Sequence, residues 1–327
     1  MILITGGAGF IGSNLVAALS ASGPPVVVCD RLRHGSKWRN LAKAELRDLV
    51  APESLVTWLH ERGDVLEAVV HLGAISATTE TDADLIIQVN FRLSSFLWDW
   101  CSQHGKRFIY ASSAATYGAG TQGFADDARP EQLARLRPLN AYGWSKHLFD
   151  RRVARALADG EPMPPQWAGL KFFNVYGPNE YHKGPMQSVV ALKYPQVAAG
   201  RPLTLFRSLR PDCADGEQQR DFLFITDCIE VILWLLEHRT LCGLFNVGSG
   251  KARSFNELAA ALFRAVRRPP QIEYIDMPER LQESYQYFTE APLERLRSAG
   301  FTRTLTSLED GVQEYVERYL AGPDRYR

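Results

Sequence analysis

The chain has 327 residues, with 37 Lys and Arg balancing 37 Asp and Glu. That balance argues against a polybasic nucleic-acid or membrane-surface binder, and 46% hydrophobic against 23% charged residues excludes a disordered chain. Five scattered cysteines (29, 101, 213, 228 and 242) with no CxxC spacing predict a reducing, cytoplasmic setting, with neither a disulfide framework nor a metal site. No basic leader precedes the first apolar run, and no run is long enough to span a membrane.

Ile2, Leu3 and Ile4 are apolar enough for one buried strand. Gly6, Gly9 and Gly12 follow in GxxGxxG spacing. Leu15, Val16 and Leu19 then recur at helical period until Gly23 and two prolines stop them. A strand, a glycine turn and an opening helix make a phosphate cradle. The first glycine permits the turn, the second lets backbone approach a pyrophosphate, and the third lets helix pack on strand. Residues 26–30 are a second buried strand ending in Asp30, 18 residues after Gly12. A dinucleotide fold places there the carboxylate that accepts from the adenosine ribose hydroxyls. Arg31, Arg33 and Lys37 follow at once; three cations beside one acid favour a 2′-phosphate, hence NADP, with NAD as the alternative.

Residues 47–50 read as a short strand, with Asp48 at the end that touches the adenine edge. Residues 52–61 read as a helix, and 68–72 as a fourth strand leading into Gly73 and Ala74, which let backbone pass close to a cofactor. His71 lies inside that run and reads as packed. Residues 82–104 are helical and carry Asn90. A fifth strand, 107–111, runs into Ser112, Ser113 and Thr116, hydroxyls at a strand's carboxyl end, where open α/β sheets bind ligands. A polar loop over 119–139 precedes a helix opened by Tyr142-Gly-Trp-Ser-Lys146.

Tyr142 and Lys146 are four residues apart and project from one helical face. A tyrosine of ordinary pKa, about 10, is a poor base at neutral pH. A neighbouring ammonium is expected to lower it. Lys146 is also long enough to hold the nicotinamide ribose, and Ser113 can bridge the same substrate oxygen. The pair therefore reads as catalytic. Residues 168–173 form a sixth strand. Beyond Asn174 the pattern gives helices over 186–200, 226–238, 254–267 and 306–320, with short strands at 203–206, 222–225, 244–247 and 271–275.

These motifs stand in the order of the extended short-chain dehydrogenase/reductase superfamily: TGGAGFIG at 5–12, Asp30, Ser113, Tyr142-x-x-x-Lys146 and Arg220-Asp221-Phe222. Within it the chain most resembles the ADP-L-glycero-D-manno-heptose 6-epimerase family. The strings that carry this are GGAGFIGSN at 6–14, GSKWRNL at 35–41, YASSAATYG at 110–118, FFNVYGPNEYHKGPM at 172–186 and YQYFT at 285–289. His182-Lys183-Gly184 discriminates most. The resemblance implies an α/β fold. It has a Rossmann-type doubly wound parallel sheet over residues 1–173 and a smaller substrate lobe over 174–327, with about 220–247 returning to the first domain.

The resemblance further implies Lys183 as a second acid/base beside Tyr142. It adds Phe10, Ile11, Leu72, Ser76, Asn90, Val175 and Lys183 to the cofactor set. The substrate set becomes Ser113, Thr116, Asn174, Phe206, Arg220 and Tyr285, with Arg220 gripping the diphosphate rather than pairing with Asp221. A nucleotide-sugar partner and a homo-oligomer are expected. The chain departs from the family at Arg31, where the family has Asn, and at Pro52, Pro185 and Leu192, where it has Lys, Ser and His. The function so implied is inversion at C6 of an ADP-heptose through a transient 6-ketone. The alternatives are another nucleotide-sugar epimerase, such as one acting at C4 of a UDP-hexose, or a non-catalytic NADP-binding protein.

Overall fold

The computed structural model describes residues 1–282 and 285–327. In chain order its strands are β1 (Ile2–Thr5), β2 (Val26–Cys29), β3 (Asp48–Val50), β4 (Ala68–His71), β5 (Arg107–Ser113) and β6 (Trp167–Phe172). They continue with β7 (Asn174–Tyr176), β8 (Leu203–Phe206), β9 (Gln219–Phe224), β10 (Gly243–Val247), β11 (Ala252–Ser254) and β12 (Ile272–Ile275). Seven of them form one parallel sheet in the order β10-β6-β5-β4-β1-β2-β3.

Apolar runs without alternation suit strands covered on both faces. Ile2 and Ile4 point into one core layer and Leu3 into the other, and Val26 and Val28 are likewise separated from Val27. Helices Phe10–Ser22 and Ile225–Glu237 pack together on the first face. Helices Leu93–Gln103 and Ala141–Asp159 cover the second. The architecture is thus a doubly wound α/β/α sandwich. Its order reverses between β1 and β4, so the ligand crevice opens at their carboxyl ends.

The helical stretch over 82–104 carries a π turn, Ile87–Arg92, centred on Asn90. Ser254 and Glu257 close a capping box on helix Phe255–Val266. The loop 119–139 contains one short helix, Pro130–Leu133. Of the later strands, β10 joins the large sheet beside β6. In contrast β9 lies between β7 and β11 in a three-stranded sheet, and β8 pairs with β12.

Candidate active site

One cavity of about 1180 Å³ opens along the carboxyl edge of the large sheet. That exceeds the roughly 300–1,000 Å³ typical of drug-sized ligands, so it has room for a dinucleotide and a second ligand. Its wall includes Gly6, Gly9, Phe10, Ile11, Gly12, Asp30, Arg31, Lys37, Leu72, Gly73, Ala74, Ser76, Ser113, Tyr142, Lys146, Asn174, Val175 and Lys183.

The glycine turn fits a pyrophosphate. Gly6 has φ +68°, and a Cβ there would stand 2.6 Å from the Gly73 nitrogen. Gly9 caps helix Phe10–Ser22 without a side-chain hydrogen bond, and no acid lies in the helix's first turn. The amide end is therefore directed at the cavity with nothing of its own to neutralise it. Asp30 Oδ2 accepts from the Ala8 amide at 2.9 Å, while Oδ1 accepts from Lys37 Nζ at 2.6 Å. Arg31 pairs with Glu53.

Ser113 ends β5, and Tyr142 and Lys146 stand on helix Ala141–Asp159, whose N-cap Asn140 accepts from the Gly143 amide at 2.8 Å. Burial pushes the Tyr142 phenol up from its ordinary value, and a hydrogen bond with Ser113 pulls it part of the way back. Lys146 stands one turn further along the same helix. Lys146 is itself buried and lowered to about 8 by desolvation, and its charge is supported by Asp150 one turn on. Asp150 in turn accepts from Tyr110, Ser112 and Lys171, tying strand end to helix.

Lys183 sits in a short 3₁₀ stretch, Tyr181–Met186, after β7. Its ammonium lies 5.3 Å from the centroid of the Phe10 ring. Burial drives it towards the neutral amine, opposed by the charge of Glu180. Glu180 is fully buried, its carboxylate accepting from the Ser188 hydroxyl at 2.7 Å and the Tyr315 hydroxyl at 3.2 Å.

Six expected residues stand outside the cavity wall. Asp48 is the first residue of β3, opposite Val27, and not the last. It therefore lies away from the carboxyl edge, accepting from the Trp58 indole at 2.9 Å, and its adenine contact is corrected. Thr116 is fully buried, donating to the Ser113 carbonyl at 2.8 Å and accepting from Lys171, so its expected sugar contact is corrected too. Asn90 braces the cofactor loop from behind: it accepts from the Ile75 amide at 2.8 Å and donates to the Ser145 hydroxyl at 3.0 Å. Phe206 ends β8 and is half-buried.

Arg220 and Tyr285 meet one ring behind the wall. The guanidinium lies 5.0 Å from Tyr285 and 5.7 Å from Phe255, a residue that does line the cavity. Asp221 points elsewhere, accepting from the amides of Gly250 and Ala291. Among the described residues Arg220 has no carboxylate partner, which leaves a buried cation beside the cavity. Sequence reasoning missed Asn40, Asn14, Glu180 and Asp150. Asn14, Asn40 and Glu180 lie inside the family strings without an assigned role, and only tertiary burial makes them, and Asp150, structural anchors. Among the described residues, no three His, Cys, Asp or Glu side chains are grouped to hold a metal ion, and no helix is long and apolar enough to cross a membrane.

A family model described as the NAD dependent epimerase/dehydratase family matches residues 2–248. The chain belongs to that family. A relative from Nitratidesulfovibrio vulgaris (strain DP4), named ADP-L-glycero-D-manno-heptose-6-epimerase, is 51% identical over the full length of both chains. One of the same name from Fusobacterium nucleatum is 45% identical, again over the whole of both. The crystal structure of the Helicobacter pylori ADP-L-glycero-D-manno-heptose-6-epimerase superposes with a TM-score of 0.77 at 29% identity, covering 96% of this chain and 94% of that one. The family carries the nicotinamide requirement in its description, and a Thermus thermophilus UDP-glucose 4-epimerase with a TM-score of 0.74 was solved with NAD. The protein is thus an epimerase of the isomerase class, built for a nicotinamide cofactor.

Proposed function

We propose that this protein inverts C6 of ADP-D-glycero-D-manno-heptose to give ADP-L-glycero-D-manno-heptose, the activated heptose of the lipopolysaccharide core. The observation that carries the reading is that Tyr142 and Lys183 line one cavity, in a chain half identical to relatives of that name. Inversion needs a proton transferred on each face of C6. Two groups on different elements meet that need with a small rotation of the C6 carbonyl, where one group would require the whole sugar to turn over.

The bound nicotinamide supplies the hydride acceptor and donor at C6. Lys183, driven towards the neutral amine, is suited to take the C6 hydroxyl proton, and Tyr142, held as the neutral phenol, to protonate the new alkoxide. The roles exchange in the reverse reaction. Ser113 hydrogen-bonds the C6 oxygen, Lys146 holds the nicotinamide ribose, and Asn174 contacts the sugar. Arg220, a buried fork stacked on Tyr285, suits the diphosphate.

NADP is favoured over NAD because Lys37 neutralises Asp30 at 2.6 Å, which removes the charge that would repel a 2′-phosphate. The reading also places the enzyme in the cytoplasm as a homo-oligomer. Incubating the purified protein with ADP-D-glycero-D-manno-heptose and following the C6 configuration by NMR tests the assignment. No inversion of that substrate, together with C4 inversion of a UDP-hexose, would overturn it.

A further inference from the structure

The loop that carries Lys183 is fastened to the glycine turn by buried amides. Asn40 is 3% exposed, and its Nδ2 donates to the Ala8 carbonyl at 2.9 Å and to the Asn179 carbonyl at 3.0 Å, with His182 Nδ1 3.2 Å away. Asn14 makes a parallel link, its Nδ2 donating to the carbonyls of Phe10 at 2.9 Å and Pro178 at 3.0 Å. Between these links Asn179 is fully buried with φ +72°, a left-handed conformation in which a non-glycine residue is strained. Such strain persists only where neighbours over-determine it. Beyond Asn179 the chain turns tightly, the Lys183 amide donating to the Glu180 carbonyl at 3.0 Å. That turn sets the Lys183 ammonium over the ring of Phe10, the first residue of the helix to which Asn14 ties the loop and two residues after the Ala8 carbonyl that Asn40 holds.

We propose that Asn40 is a positioning residue for Lys183, its amide setting the spacing between the glycine turn and the lysine loop and thereby the place of the Lys183 amine in the cavity. This rests on Lys183 as the second acid/base. Asn40 suits the role because it belongs to the short turn Lys37–Leu41, whose other end is anchored by Lys37 on Asp30. The amide also donates to two carbonyls, one on the glycine turn and one on the lysine loop, beside the links from Asn14 to Pro178 and from Asn179 to Ser13. Without it, two buried carbonyls lose a donor and the lysine loop loses its link to Ala8. A displacement of about 1 Å at a reacting group is enough to cost on the order of 10²-fold in rate.

The test compares Asn40→Ala, Lys183→Met and the double variant in the full-length enzyme. Two reactions are followed: inversion of ADP-heptose, and dismutation of an analogue carrying an aldehyde at C6. In the latter, two aldehydes and water give one alcohol and one acid, with hydride passing through the bound nicotinamide and only the Tyr142 face required. Asn40→Ala should lower kcat for inversion at least about tenfold, with KM and dismutation changed by no more than about threefold. Bound nucleotide should be retained. Amide exchange over 179–187 should quicken about tenfold while that over 141–147 holds. In the Lys183→Met background the substitution should have no further effect on inversion.

Equal loss of both reactions, loss of bound nucleotide, unchanged inversion or unchanged exchange would each overturn the proposal. If Lys183→Met itself keeps kcat, it is the acid/base reading that fails. If Lys183→Met loses kcat and Asn40→Ala does not, only the positioning role fails. Should Asn40→Ala not fold, Asn40→Ser, which keeps one donor, is read by the same criteria.

Discussion

Replacing Lys183 by Met separates two-base inversion from a lysine that merely grips phosphate. Methionine keeps the unbranched stem and discards the ammonium. The fold should tolerate it. The lost contact with Phe10 is worth about 0.5–2 kcal/mol, whereas burying an ammonium costs several kcal/mol before any compensation. Stability should therefore change little, and bound nucleotide should remain. Catalysis should not survive. A positioned acid/base contributes about 10²–10⁴ in rate, or roughly 3–5 kcal/mol of barrier. Inversion, read by NMR at C6 under saturating substrate, should fall by at least 10² in kcat. Dismutation of the C6 aldehyde should persist, because it needs proton transfer on the Tyr142 face alone. A raised KM with an unchanged kcat would refute the reasoning, since that pattern marks uniform binding rather than proton transfer.

Tyr142→Phe should fold and retain its cofactor while losing at least about 10² in both inversion and dismutation; a loss under about tenfold would remove Tyr142 from proton transfer. Lys146 is charged below about 8 and neutral above it, so kcat/KM should fall as pH rises through about 8. Lys146→Arg, charged at every accessible pH, should shift that limb upward, and a profile flat to pH 10 would contradict a required ammonium. Denaturing the purified protein should release NADP; NAD alone would contradict the charge argument at Asp30 and Lys37.

The local features of this protein were legible without coordinates, because each is a short-range periodicity. Unbroken apolar runs mark strands buried on both faces, and GxxGxxG between strand and helix marks a phosphate cradle. Four-residue spacing puts Tyr142 and Lys146 on one helical face. The strand that ends just before Asp30, the strand that carries Ser113 and the helix that carries Tyr142 therefore appear where expected. Tertiary structure decided what depends on register and long-range pairing. Asp48 falls at the amino end of β3 because Val27, rather than Cys29, is its partner. Successive strand residues point to opposite faces, so Arg220 turns to Tyr285 while Asp221 turns to the amides of Gly250 and Ala291. Thr116 is drawn inward by the buried Lys171, 55 residues away. Asn40 meets Asn179 across 139 residues, a contact that no local periodicity announces. Such contacts arise only when the sheet has closed its crevice, because only then do unpaired carbonyls on distant loops lose water and need a donor from the chain itself.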